Sequence, residues 1–326
     1  MNMSIRITGA LVALLAIVSL PQTAHAQEYP TRSITVVVPF PAGGASDIVA
    51  RIVTEHMGRT LGQTLVIENV GGAGGTIGSA RVAAATPDGY ILLAASMGSH
   101  VAAPVLTPNI RYDAVADFVP IGVTANSPAV IAARKDIPAN NFQEFVAYIR
   151  ANGDKVKQAH GGVGASSHMS CMMFNLASGA TPNSVAYRGS NPAMNDVIGG
   201  HVDFMCEQAV LVAEQIKSGQ LKGFVVSAPE RLAVLPDVPS AKELGIDYDV
   251  NIWAGMFAPK GTPPAIVEKL AAALDKALDD PSVAKRLGDL GASIPPKEQR
   301  SPAAFGKVVT AEIARWHPIL KAMNKN

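Results

Sequence analysis

Apolar and polar positions alternate along this chain in two recurring registers. Ser33–Pro39 (S-I-T-V-V-V-P) is a β-branched run closed by proline and predicts a buried strand. Ser46–Leu61 follows, with Ile48, Val49, Ile52, Val53 and Met57 at helical spacing. Leu65–Asn69 predicts a second strand. A glycine-rich connection, Gly71–Gly78, leads into a short helix ending near Ala85, and Tyr90–Ala95 predicts a third strand. Strand, helix, strand, helix, strand in this order predicts a parallel sheet with helices on both faces.

The same alternation then restarts. Ala129–Arg134 predicts a strand and Asn141–Asn152 a helix behind an Asn cap. Strands are predicted at Val156–His160, Ser184–Tyr187, Val202–Cys206 and Gly223–Ser227. Helices are predicted from about Ser167 and up to Ile198. Asn251–Phe257 (N-I-W-A-G-M-F) is an extended segment that crosses back. Three helices finish the chain, at Pro264–Leu278, Ser282–Leu290 and Ser301–Met323, with Pro263-Pro264 and Ser301-Pro302 as start signals. With no sheet of their own, they are expected to pack on the first unit. The expected architecture is α/β with two lobes, each a mainly parallel sheet with flanking helices. Residues 27–126 and 251–326 form the first lobe and 127–250 the second. The two interlobe crossings lie near Asn126 and Val250.

The amino terminus follows neither register. Arg6 is the only charge before Glu28, and an apolar run from Ala10 to Leu20 precedes Pro21 and Ala24-His25-Ala26. A basic start, an apolar middle and an A-x-A exit predict a signal peptide over residues 1–26, cleaved after Ala26 into the periplasm. The alternative is an uncleaved anchor, for which the run is short of the roughly 20 residues a span needs. Removal leaves 300 residues and, with Arg6 gone, no net charge; the whole chain carries 27 Lys+Arg against 26 Asp+Glu. That balance excludes a nucleic-acid binder, which needs a basic face. It equally excludes electrostatic adhesion to an acidic membrane surface. An exported protein has no supply of ATP or NAD(P)H, so no cofactor is expected.

Ligands of parallel α/β sheets sit beyond the carboxyl ends of the strands. Four strand-to-helix connections there are rich in Gly, Ser and Pro: Pro39–Asp47, Ser96–His100, Gly161–His168 and Arg188–Ala193. Glycine permits close approach to the backbone, and the next helix offers free N–H groups at a positive dipole end. Such a terminus binds a carboxylate or phosphate without Lys or Arg. Each loop taken alone is also ordinary turn and cap chemistry, with Ser46, Asp47, Ser166 and Ser167 as caps. Together, two in each lobe, they point to an anion-binding cleft.

The enzyme signatures are missing. No G-x-S-x-G elbow and no P-loop occurs, and the Gly71–Gly78 run has Ile77 where a dinucleotide loop needs glycine. His168 and Cys171, with His201 and Cys206, resemble a zinc set, but His201 and Cys206 fall at opposite ends of one strand, roughly 15 Å apart. No metal site is expected. Cys171 and Cys206 are read either as small buried residues or, preferred for an oxidising compartment, as a disulfide. His100 and His168 are cap or surface residues or ligand contacts. Arg188 is a carboxylate clamp or a solvent-facing side chain. Glu207 binds a cationic group or a hydroxyl, or caps a neighbour. Trp253 packs between the lobes.

Several ordered motifs then resemble one family. Tyr29-Pro-x-Arg32-x-Ile34 with Val38-Pro39-Phe40-x-Ala42-Gly43-Gly44-x-x-Asp47 resembles the solute receptors of tripartite tricarboxylate transporters, the Bug family. Pro87-Asp88-Gly89-Tyr90, Asp117-Phe118-x-Pro120-Ile121, Ser167-His168, Tyr187-Arg188-Gly189, Leu235-Pro236-Asp237-Val238-Pro239-Ser240, Trp253-x-Gly255 and Pro259-x-Gly261-Thr262-Pro263 are similar as well. The resemblance implies a periplasmic binding-protein fold, type II-like, whose two lobes close over a small organic carboxylate without catalysis. It implies delivery to membrane permease subunits by a monomer. The Cys171 and Cys206 pair resembles a subset of the family. The implied first-lobe contacts are Phe40, Ala42, Gly43, Gly44 and Asp47, with Ser96, Ser99 and His100. The second-lobe contacts are Gly164, Ala165, Ser166, Ser167, His168, Tyr187, Arg188, Gly189, Ser190 and Glu207. Met97, Met169, Tyr187 and Glu207 are expected at the far, selective end. A receptor docking on a sensor protein and a secreted serine hydrolase are the alternatives.

Overall fold

The computed structural model describes residues 28–324, so the expected signal peptide lies outside the described residues. Strand β1 (Ile34–Val38) runs into helix α1 (Ala45–Leu61), then β2 (Leu65–Asn69), α2 (Thr76–Ala83) and β3 (Ile91–Ser96). After β3 the chain makes a π-helical turn at Gly98–Ala102 and a short α3 (Ala103–Leu106). It then enters β4 (Phe118–Arg134), a 17-residue strand. The second half comprises α4 (Phe142–Asn152), β5 (Lys157–His160), α5 (Ser166–Ser178), β6 (Asn183–Ala186) and α6 (Ser190–Ile198). It continues through β7 (Phe204–Gln208), α7 (Ala209–Lys217) and β8 (Leu221–Val226). The chain closes with β9 (Asn251–Pro259), α8 (Pro264–Leu278), α9 (Pro281–Gly288) and α10 (Pro302–Met323).

The strands follow the order β2-β1-β3-β9-β4-β7-β5-β6, with β8 also on β4. The β1/β2, β1/β3, β5/β6 and β5/β7 pairs are parallel. The β3/β9, β4/β9, β4/β7 and β4/β8 pairs are antiparallel. The expected mainly parallel sheets are therefore mixed. The reason is that the two crossing segments themselves become strands and run against their neighbours.

β4 joins the halves. Its Phe118–Pro128 part pairs β9, and its Ala129–Arg134 part pairs β7 and β8. Pro128 sits at the changeover, where a missing ladder donor is tolerated. The Ala129 N–H donates to Ser227 Oγ at 2.7 Å, and that hydroxyl donates to the Val250 carbonyl at 2.6 Å. The two crossings are thus tied together at one point.

Successive strand residues point to opposite faces, and here both faces are covered. Ile34, Val36 and Val38 of β1 enter one core while Val37 enters the other. Along β4, Val130 and Ala132 face the first core, and Ala129, Ile131 and Ala133 the second. Helices α1, α8 and α9 pack together on one side, and α10 covers β4 and α3 on the other. The last three helices pack against elements of the first half. Fully burying each Val, Leu or Ile contributes about 1.5–3 kcal/mol, so a sheet covered on both faces fixes its strand ends firmly.

Candidate functional site

The carboxyl ends of β1, β3, β5, β6 and β7 meet at one small cavity. It is lined by Phe40, Pro41, Ala42, Gly44, Ala45 and Ser46 after β1, by Ser96 at the end of β3, and by Gly161, Ala165, Ser166 and Ser167 after β5. Gly189, Ser190 and Asn191 follow β6, and Glu207 and Gln208 end β7. Four helices begin on it. Their N-cap residues are Gly44 (α1), Ala165 (α5), Gly189 (α6) and Gln208 (α7), and none of the four forms a side-chain cap hydrogen bond. All four caps line the cavity. Neither Lys, Arg nor His is among the lining residues. Any attraction for an anion there comes from backbone N–H groups and helix dipoles.

The halves meet across it. Asn191 Nδ2 donates to the Ala42 carbonyl at 3.1 Å, and Ser96 Oγ lies 3.5 Å from Ser166 Oγ. Gly43 has φ of +76°, and a Cβ there would fall 2.5 Å from Asn191 Nδ2. Gly98 admits the Ser166 backbone, whose N would lie 2.7 Å from an added Cβ. The space enclosed is about 30 Å³, enough for one or two waters, so an organic ligand must part these walls to enter.

Several expected contacts turn out to support the loops from behind. Asp47 is 2% exposed and accepts from the Gly43 N–H at 2.8 Å, Arg51 Nε at 2.9 Å and Asn69 Nδ2 at 2.9 Å. Burial alone would raise its pKa, but the Arg51, Gly43 and Asn69 hydrogen bonds outweigh that and hold it below the usual range. Asn69 also donates to the Phe40 carbonyl at 3.1 Å. Gly43 adjoins the cavity through these bonds, and Gly164 (φ +82°) packs against Ala103 and Thr107 outside it.

His168 does not reach the cavity. Its ring packs on His160 with centroids 4.3 Å apart, and each Nδ1 accepts from a loop glycine, Gly162 or Gly164. Burial lowers both pKa values to about 4, so both rings are neutral at pH 7. His100 is also displaced from the site. It is fully buried and stacks on Phe257 at 4.4 Å beside Phe118 and Trp253, and burial lowers its pKa to about 3. Ser99 turns back to the Ser96 carbonyl at 3.2 Å. Tyr187 donates to Asp196 at 2.6 Å, and Arg188 is exposed outside the cavity. Met97 and Met169 are fully buried in the core. Trp253 packs in that same core against Phe305. His168 and Met169 lie in α5 and Ser99 and His100 in the π-helical turn, so helix geometry and core packing turn these side chains from the cavity.

The cysteines also depart from expectation. Both are free, buried thiols in place of a disulfide. Cys171 donates to the Ala159 carbonyl at 3.7 Å, and Cys206 Sγ accepts from Gln158 Nε2 at 3.5 Å. Burial pushes the Cys206 thiol well up in pKa, which keeps it protonated. Among the described residues no cluster of three or more His, Cys, Asp or Glu is placed to hold a metal. No described helix is long and apolar enough to cross a membrane.

Glu207 is the one titratable side chain lining the cavity. It is 1% exposed. Burial raises its pKa, while the Ser190 hydroxyl, the Gln208 N–H and the Ser167 hydroxyl pull the other way without cancelling it.

Pro41, Ala45, Ser46, Gly161, Asn191 and Gln208 line the cavity without being among the expected contacts, and α7 is not predicted. Gln208 had no signal, because β7 passes into α7 with no Gly or Pro between them. Asn191 lies inside the Arg188–Ala193 loop, and its side-chain amide is the available clue.

Two α/β halves joined by crossing strands, with uncapped helix starts converging between them, define a binding-protein class that captures small anions in a cleft. The chain belongs to the tripartite tricarboxylate transporter family receptors, whose model matches residues 49–325. It is 39% identical over 317 residues to a protein of the TAR-I ttuE-ttuC' intergenic region of Agrobacterium vitis, covering 97% of this chain and 91% of that one. Its structure is similar to MatC from Rhodopseudomonas palustris with bound malate (TM-score 0.86, 42% identity, 90% of this chain and 100% of that one). It is equally similar to the periplasmic binding protein BugD (TM-score 0.86, 42% identity, 90% and 98%). The family resemblance and the α/β binding-protein fold read from the sequence are both borne out.

Proposed function

We propose that this receptor captures a small organic carboxylate in the cavity between its halves and presents it to the permease subunits of a tripartite tricarboxylate-type transporter. The observation that carries the reading is the convergence of four uncapped helix N-termini on a cavity lined by no basic side chain. The backbone N–H groups at Ala45 and Ser46, Ser166 and Ser167, and Ser190 and Asn191 are the carboxylate donors. The bound malate of the MatC neighbour agrees with that chemistry. Residues 27–126 with 251–326 form one lobe and 127–250 the other. The lobes hinge where Ser227 ties Ala129 to Val250.

The exported protein starts after Ala26 and works as a monomer in the periplasm. It performs no reaction. Support comes from the displacement of His100 and His168, the general bases a serine hydrolase would need. The test is thermal shift on residues 27–326 against C4–C6 dicarboxylates, citrate, aromatic acids and amino acids. A saturable rise with one class follows ln(1 + [L]/Kd) and identifies it. Turnover of any bound acid, or no rise in ligand-stripped protein, would contradict the reading.

A further inference from the structure

Glu207 holds a feature that carboxylate capture does not use. Its Oε1 accepts from the Gln208 N–H at 2.9 Å. Its Oε2 is buried and has no hydrogen-bond partner among the described residues. The side chain lines the cavity at the end of β7, between the starts of α5, α6 and α7. The Ser190 and Ser167 hydroxyls lie beside the carboxyl, but neither makes a hydrogen bond to Oε2, no basic side chain lines the cavity, and a buried carboxyl oxygen left without a donor is costly.

We infer that the ligand carries a hydrogen-bond donor, a hydroxyl or an ammonium group, beside its bound carboxylate, and that Glu207 Oε2 accepts from it. The inference rests on the carboxylate reading above and narrows it to hydroxy or amino acids. An unsubstituted acid of the same length fills the same donors but leaves Oε2 buried and unpaired. A site built around such a pairing rejects the analogue that lacks it.

Malate, aspartate and succinate share a four-carbon dicarboxylate frame and differ at one position: hydroxyl, ammonium or hydrogen. Calorimetric titration of residues 27–326 is expected to show malate or aspartate binding at least about tenfold more tightly than succinate. Glu207→Ala is expected to bring that ratio to within about threefold. Should that variant fail to fold, Glu207→Met keeps the length and removes both oxygens, and the wild-type ratio stands by itself as a test. Glu207→Gln separates the two donors: a hydroxyl preference survives the neutral amide oxygen, whereas an ammonium preference collapses with the charge. Equal wild-type affinities, or a preference that outlives Glu207→Ala, would overturn the inference and leave carboxylate capture standing. A uniform loss of all three ligands in Glu207→Ala would also overturn it, since Glu207 would then be holding the carboxylate itself. Failure of every carboxylate to bind wild-type protein would remove the carboxylate reading and this inference together.

Discussion

Helices begin in two ways in this molecule. On the outer surface, Asn141 caps α4 by accepting from the Glu144 N–H, Asp280 caps α9 through the Ser282 N–H, and Ser301 caps α10 through the Ala304 N–H. At the cavity, α1, α5, α6 and α7 start from Gly44, Ala165, Gly189 and Gln208 with no side-chain cap. A missing cap ordinarily costs about 1 kcal/mol. Helices α2 and α8 also start without a side-chain cap away from the cavity, and the Val210 N–H of α7 donates to Ser127 Oγ at 3.3 Å, so what singles out the cavity is that four such starts meet there.

The largest effect should come from closing the cavity-side donors with a charge. Gly43→Asp puts a Cβ against Asn191 on a left-handed backbone and a carboxylate at the start of α1. Calorimetry should show carboxylate affinity falling by more than about 100-fold, from lost donors and like-charge repulsion combined. Retained affinity would remove this loop from the site. Ala165→Asp tests the contrast in the other direction. Ala165 already has cap geometry (φ −70°, ψ 159°), so the new side chain should satisfy the α5 donors. Affinity should fall about tenfold or more while unfolding free energy rises by up to about 1 kcal/mol. A variant that gains stability and keeps its affinity would show that α5 donors do not hold the ligand.

Breaking an outer cap should do the opposite. Ser301→Ala should lower denaturant stability by about 1 kcal/mol and leave affinity within about twofold. The smallest effect concerns acid. Asp47 has a folded pKa below its unfolded value. Its contribution is therefore complete above the unfolded pKa, near 4, and is lost as pH falls through the folded pKa. Asp47→Asn should flatten the stability profile of the wild type below about pH 4 and leave its shape near neutrality unchanged. Identical acid profiles would show that the Arg51 and Gly43 bonds do not depend on the charge.

Much of this fold is legible in the chain because its elements obey local rules. The ends of β2 and α8 fall where periodicity and Pro264 place them, and β1 and α1 lie within a residue of their predicted spans. The amino-terminal half of β4 was not legible. Pro120, Gly122 and Pro128 interrupt its alternation, and it survives as a strand only because β9 pairs it across two bulges. The glycine-rich loops pointed to the cavity because backbone donors need backbone access, which composition reveals. Side-chain direction is a tertiary property. His100, His168, Tyr187 and Arg188 all adjoin the right loops, yet the aromatic core takes His100, His160 packs on His168, Asp196 holds Tyr187, and Arg188 faces solvent. The two cysteines adjoin one another in the second half as expected, yet each thiol has its own backbone or amide partner instead of a bond.

The central claim is that backbone N–H groups at converging helix starts, and no basic side chain, hold the ligand's carboxylate. A high-resolution crystal structure of residues 27–326 with malate tests it most directly. The account predicts a malate carboxylate between Ser46, Ser166 and Ser190, its oxygens within hydrogen-bond distance of those backbone nitrogens or of waters bound to them, with Arg188 still in solvent. A carboxylate paired with Arg188, or malate seated away from the starts of α1, α5 and α6, would contradict it.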